Sequence, residues 1–179
     1  SLTIATQSFS NNWNPEKFKS GLNQSINFSL GNKYTFGENQ IGFNSGVNYK
    51  KKYAFYEDAQ IGRYKQTGIN AETLTAQKTG TESRGDEHVF GSIFMNASLH
   101  FNQKHKIKFV SMLNQNGQSS ARYFSGENRS DAFGLFEEQR TQRYMERQLK
   151  TSQISGTHLF EAHKKSELTW NFGHTKSYQ

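Results

Sequence analysis

Cysteine is absent from this chain and proline occurs once in 179 residues. Without cysteine no disulfide can staple the fold, and the absence fits a compartment where free thiols would be oxidised. With a single proline, almost every residue keeps an N–H for a ladder, as a long antiparallel sheet requires. Hydrophobic residues reach only 32%, little for a packed water-soluble core of this length, and mean hydropathy is -0.90. No run of about 18 apolar residues occurs, which excludes a transmembrane helix. No basic-then-apolar leader stands at Ser1 and the first residue is not Met, so a mature or internal piece is expected. A dominant basic block is also missing. The net charge is +7 and the pI about 9.5, yet Lys and Arg are spread along the chain, so no nucleic-acid partner is expected. The excess suits anionic lipid head groups or an anionic solute.

What is present argues against disorder: aromatics make up 14%, with 15 Phe, in a length that suits one domain. Residues 87–101 carry the clearest pattern. Val89, Gly91, Ile93, Met95, Ala97, Leu99 and Phe101 fall on one side of an extended strand, and His88, Phe90, Ser92, Phe94, Asn96, Ser98 and His100 on the other. A period of two with one uncharged apolar side is a strand between two solvents. Soluble strands run about 5–6 residues, whereas a tilted strand crossing a bilayer needs about 9–11. This one is long enough to span.

The pattern recurs. Leu22, Ile26, Phe28 and Leu30 alternate, with Gln24 interrupting. Ile41, Phe43, Val47, Tyr49, Tyr53 and Phe55 share a side, with Lys51 near the far end. Ile107, Phe109 and Leu113 begin a strand toward Tyr123, residues 140–160 form another in which neither parity is cleanly apolar, and Leu168, Trp170 and Phe172 mark the last. Short connections fall near 31–39, 102–105 and 161–165; long polar stretches cover 57–86 and 126–139. Long and short connections alternate, as in outer-membrane barrels with short periplasmic turns and long outer loops. Tyr34, Phe36, Phe101, Phe160 and Trp170 lie near the short turns. Tyr49, Tyr53, Phe55, Tyr123, Phe124, Tyr144 and Tyr178 lie nearer the long stretches. Two such girdles are expected at the two membrane interfaces.

The fold expected is therefore all-β: an antiparallel up-and-down transmembrane β-barrel, present as an arc of roughly six strands over 1–179. The lipid-facing residues expected are Val89, Ile93, Met95, Ala97, Leu99, Ile107, Phe109, Leu168, Trp170 and Phe172, with Ser92, Asn96 and Ser98 toward a lumen. The six His do not read as a metal centre: His100 and His105 flank one turn and His158 and His163 lie near another, without the convergent spacing that zinc sites use. Asp86-Glu87 and Glu137-Glu138 read as solvated loop charges rather than a general acid–base pair. Lys50-Lys51-Lys52 reads as an interfacial anchor, and Phe90 and Phe94 as packing within the lumen. No cofactor and no catalysis are implied, and no residue is assigned to a solute.

Particular segments resemble a known family. Arg122-Tyr-Phe-Ser-Gly-Glu-Asn128 resembles the start of an outer loop in the barrel of TonB-dependent outer-membrane receptors of the Bacteroidetes type. Tyr144-Met-Glu-Arg-Gln-Leu-Lys-Thr-Ser-Gln-Ile-Ser-Gly-Thr-His158, followed by Leu168-Thr-Trp-Asn-Phe172, is similar to their Glu-Arg, polar run, Gly-x-His and Trp-bearing strand. Asn12-Trp13-x-Pro15 and residues 24–31 look like the family as well, so the resemblance covers nearly the whole chain. It implies part of the wall of a bacterial outer-membrane transporter that imports a large or scarce solute. The partners implied are outer-membrane lipid, the remaining strands and plug of the same polypeptide, TonB acting through that plug, and a surface lipoprotein. The departure is size: such barrels have about 22 strands, and no plug or energy-coupling box stands in this chain. Two alternatives are another outer-membrane barrel, a porin or secretion component, and a soluble β-sandwich or solenoid adhesin that binds glycans. A soluble sheet would need turn signals every 8–12 residues, which the long polar stretches lack.

Overall fold

The computed structural model describes residues 14–66, 68, 72–102, 104–129, 134–160 and 166–179. They form six strands: β1 (Gln24–Phe36), β2 (Asn39–Gln66), β3 (Leu74–Phe101), β4 (His105–Asn128), β5 (Leu135–Phe160) and β6 (Ser166–Tyr178). All six belong to one open sheet in which spatial order equals chain order. Neighbours run antiparallel, with Phe28 opposite Val47 across β1–β2 and Gly156 opposite Trp170 across β5–β6. The described residues contain no helix long and apolar enough to cross a membrane.

The turn chemistry explains the register. Gly37 and Glu38 alone join β1 to β2, and Gly37 has φ +59° at the first central position. Glycine there is what a tight primed turn demands. Between β3 and β4, Asn102 takes φ 46°, a left-handed conformation that Asn tolerates better than most residues. The Lys104 N–H closes that turn on the Phe101 carbonyl at 3.0 Å. The Asn102 N–H donates to the Asn39 side chain at 3.1 Å, so the β3–β4 turn is tied to the start of β2 beside the β1–β2 turn.

The strands are longer than their apolar patterns. Residues 57–66 and 74–86, expected in one long loop, are strand, as are 126–128 and 135–139. Only 67–73 and 129–134 separate the strands there. Residues 31–36, read as part of a turn, are strand as well. The physical reason is that these segments are polar on both sides. Alternation then disappears from the sequence, although Thr and Tyr still favour extended backbone and the ladder continues. The charges read as loop residues are consequently strand residues: Asp86 and Glu87 lie in β3 and Glu137 and Glu138 in β5. Gln103, His163, Lys164, the whole 161–165 turn and the Asn12-Trp13 pair lie outside the described residues.

The chain divides into two units. One holds the described parts of 14–21, Tyr53–Asp86 and Ser119–Arg143; the other holds Leu22–Lys52, Glu87–Gln118 and Tyr144–Gln179. β2, β3, β4 and β5 contribute to both. A hydrophobic core in the usual sense is missing: among the described residues Phe124 is the one hydrophobic side chain that is buried, at 0% exposure.

Candidate lipid-facing surface and the polar face behind it

In the second unit, cross-strand contacts show which residues share a face. Even residues of β1 oppose odd residues of β2, and even residues of β5 oppose even residues of β6. The Phe94 ring covers Gly46, where an added Cβ would stand 2.6 Å from it, so the even residues of β2 and β3 lie together. The Ser92 hydroxyl donates to Asn114 at 2.6 Å, joining the even residues of β3 and β4. Ser111 and Ser152 meet at 3.1 Å and His105 and His158 at 3.2 Å, joining odd β4 to even β5.

These links place all ten residues of the expected lipid-facing set on one side. Ile93, Met95, Leu168 and Phe172 project most, the last with 69% of its surface bare. Val89, Ala97, Leu99, Ile107, Phe109 and Trp170 are half-buried against their neighbours. The same side carries Ile26, Phe28, Leu30, Ile41, Phe43 and Val47, most of them widely exposed. Ser92, Asn96 and Ser98 lie on the opposite side, where Ser92 is buried.

The apolar zone runs obliquely across the strands. The row through Phe28 passes Val47, Ile93 and Leu113 and then meets Lys150 and Lys176 on β5 and β6. On β6 the apolar residues are centred six positions further toward the short turns, at Trp170. An oblique zone is what tilt produces. Strands about 4.8 Å apart and tilted by about 40° change level by about 1.2 residues per step, or about six residues over five steps.

Both borders of the zone are marked. Lys51 shares the apolar side and pairs with Glu87 at 2.7 Å; it is the one member of the Lys50-Lys51-Lys52 run on that side. Ile41 and Lys51 stand ten residues apart on β2, about 33 Å along a strand or about 25 Å when tilted. Near the short turns His105, His158, Phe160 and Trp170 form an aromatic cluster, with ring centroids 5.3 Å to 6.4 Å apart. The Trp170 indole also covers Gly156, where an added Cβ would stand 2.4 Å from the ring.

The chemistry of that cluster is constrained. Trp170 Nε1–H donates to His158 Nε2 at 3.0 Å. An indole N–H only donates, so His158 accepts there and carries its proton on Nδ1, which points at His105 Nδ1. His105 then holds its own proton on Nε2. The chain Trp170–His158–His105 is complete with both rings neutral. A metal on His158 Nδ1 would put a proton on Nε2, facing the Trp170 donor. Among the described residues no three His, Asp or Glu converge as metal ligands.

The first unit is held by charge. Glu82, with 6% exposure, accepts hydrogen bonds from Tyr56 and Arg122. Burial alone would raise its pKa, but those two donors and the Arg122 and Arg84 charges outweigh it and hold the carboxyl below its ordinary value. Tyr56 is pushed the other way, chiefly by donating to Glu82. Lys78 Nζ reaches Glu137 at 3.0 Å and stands 4.1 Å above the Phe124 ring. The Glu137 carboxyl is held low, first by Lys78 and then by Asn128. Arg84 and Asp86 pair at 2.8 Å. These carboxylates are thus spoken for by cations, and sequence reading missed the partnerships because they join residues up to 59 positions apart.

The class these features define is an all-β, up-and-down antiparallel sheet with one apolar and one polar side in its second unit. No protein-family model, no curated protein and no solved structure matches the chain.

Proposed function

We propose that this chain is part of the wall of a transmembrane β-barrel in the bacterial outer membrane, and that the barrel belongs to a TonB-dependent transporter importing a large or scarce solute. The observation that carries the membrane reading is the oblique apolar zone on one side of six consecutive strands, in a molecule with a single buried hydrophobic side chain among its described residues. Bilayer lipid covers such a zone without any partner protein, and a closed ladder satisfies the backbone within it. The transporter reading rests on the sequence resemblance. The polar side, with Ser92, Asn96 and Ser98, then faces the lumen, and the chain works as a wall rather than as an enzyme. Further strands and a plug of the same polypeptide complete the barrel, TonB acts through that plug, and a surface lipoprotein is a further partner. The polar strand segments within 57–86 and 126–139 stand outside the cell, and Gly37 and Asn102 on the periplasmic side.

Single spin labels along residues 92–97 in detergent micelles test the membrane reading. Oxygen accessibility should peak at Ile93, Met95 and Ala97 and fall at Ser92, Phe94 and Asn96. Equal accessibility on both parities rejects it. For topology, an impermeant thiol reagent on intact cells should label Cys placed at Lys65 and spare Cys placed at Asn102. Labelling at Asn102 from outside reverses the orientation. A plug-coding segment upstream in the gene is the expected sign of the transporter class; its absence would remove that finer reading and leave the barrel.

A further inference from the structure

The polar side of the second unit carries positive charge that a passive wall does not need. His100 near the end of β3 and Lys106 and Lys108 at the start of β4 share that side, by the same parity that joins Ser92 to Asn114. With Lys104 they line a cavity of about 560 Å³. An adjoining cavity of about 390 Å³ shares His100 and Lys108 and adds Lys33 from β1. Among the described residues no Asp or Glu lines either cavity. Among the described residues no carboxylate pairs with Lys33, Lys106 or Lys108, whereas Lys17, Lys51 and Lys78 are each paired. Among the described residues, the register places Glu167 beside the larger cavity, opposite Leu159, and it accepts a hydrogen bond from Thr169 at 3.4 Å.

Three ammonium groups with one neighbouring acid, Glu167, leave repulsion that a bound anion relieves. Each Lys offers three donors as a point charge, a form suited to phosphate oxygens. Ser155 and Thr157 add hydroxyl donors to the same lining, while the Thr169 hydroxyl donates to Glu167. Both volumes fall in the range of about 300–1,000 Å³ typical of small-molecule sites. We propose that this cluster is a binding site for a soluble multivalent oxyanion of the phosphate type. Lys33, Lys106 and Lys108 supply the charge, and the Ser155 and Thr157 hydroxyls of β5 orient the oxygens. The proposal does not depend on what covers the apolar side.

Calorimetric titration of the full chain with inorganic pyrophosphate tests it, in whichever medium keeps the chain monodisperse, plain buffer or detergent. Saturable binding is expected. It should weaken about tenfold or more in the Lys106→Gln/Lys108→Gln pair. Lys106→Arg/Lys108→Arg should retain it, and Lys50→Gln/Lys52→Gln, on the same side of β2, should leave it unchanged. If the first pair fails to fold, Lys33→Gln takes its place, with a loss of about threefold or more. No saturation by about 1 mM, a loss no greater than that of the Lys50/Lys52 control, or binding of an acidic peptide but not of pyrophosphate overturns the proposal. A chain monodisperse in plain buffer would defeat the membrane reading and leave this titration intact.

Discussion

Glu82 is the residue on which the polar strands of the first unit converge, since it is buried and takes donors from both β2 and β4. Its carboxyl titrates below its ordinary value near 4.5, so its contribution is fully present above that pH and is lost as pH falls through the lowered value. Hydrogen-exchange protection of the first-unit segments of β2 to β4 should therefore drop in acid. Glu82→Gln should cost about 1–3 kcal/mol near neutral pH and flatten that acid response. An unchanged acid response in the variant would show that another group is responsible. Gly156 makes a different demand, for space. Alanine there would displace the Trp170 indole, at a cost of about 1–3 kcal/mol, and a shift of the Trp emission measures the displacement. Little of this was legible in the sequence. Glu82 sits in a polar run with no periodicity to single it out, and its partners Tyr56 and Arg122 lie 26 and 40 positions away. Gly156 read only as part of a Gly-x-His pattern, because the indole that covers it comes from the next strand.

At the scale of the strand, apolar alternation located each element but not its length. β3 was evident over 87–101 because one side is apolar there; its first 13 residues, 74–86, are polar on both sides and left no such mark. The ambiguity of residues 140–160 has a geometric source. Lys150 and Ser152 share a side with Ile154 and Phe160, but the oblique apolar zone crosses β5 only at its end near the short turn. A test for a single strand in isolation sees mixed polarity, while neighbouring strands make the pattern coherent. The obliquity gives a depth prediction. Arg in place of Ile93 should destabilise the bilayer-inserted protein by about 2–4 kcal/mol if it lies near the midplane. The native Lys176, in the same row through Phe28, should lie close to an interface. Reversible unfolding in vesicles measures the first. Quenching of a fluorophore at position 176 by lipids labelled at known depths measures the second, and deep quenching there would contradict the tilt.

For the whole molecule, the balance of exposed and buried surface decides where it can live. Among the described residues a single hydrophobic side chain is buried, which is little apolar burial to set against the conformational entropy of the chain. The bare residues of β1, β2, β3 and β6 far exceed the few hundred Å² of apolar patch that a soluble monomer tolerates. Among the described residues β1 and β6 each have a neighbour on one side only, and an unpaired strand edge invites association. The isolated chain should aggregate in plain buffer and become monodisperse in detergent, as read by light scattering; a monomer in buffer with one cooperative transition would refute this. The coincidence of chain order with spatial order carries a consequence for how such a protein can change over evolutionary time. No strand crosses another, so a hairpin is a removable cassette. Excising β3 and β4 together would leave β2 and β5 still antiparallel, with their apolar sides still alike, and inserting a duplicated hairpin would widen the sheet without rethreading it. The number of strands is then free to drift by pairs while the fold stays the same.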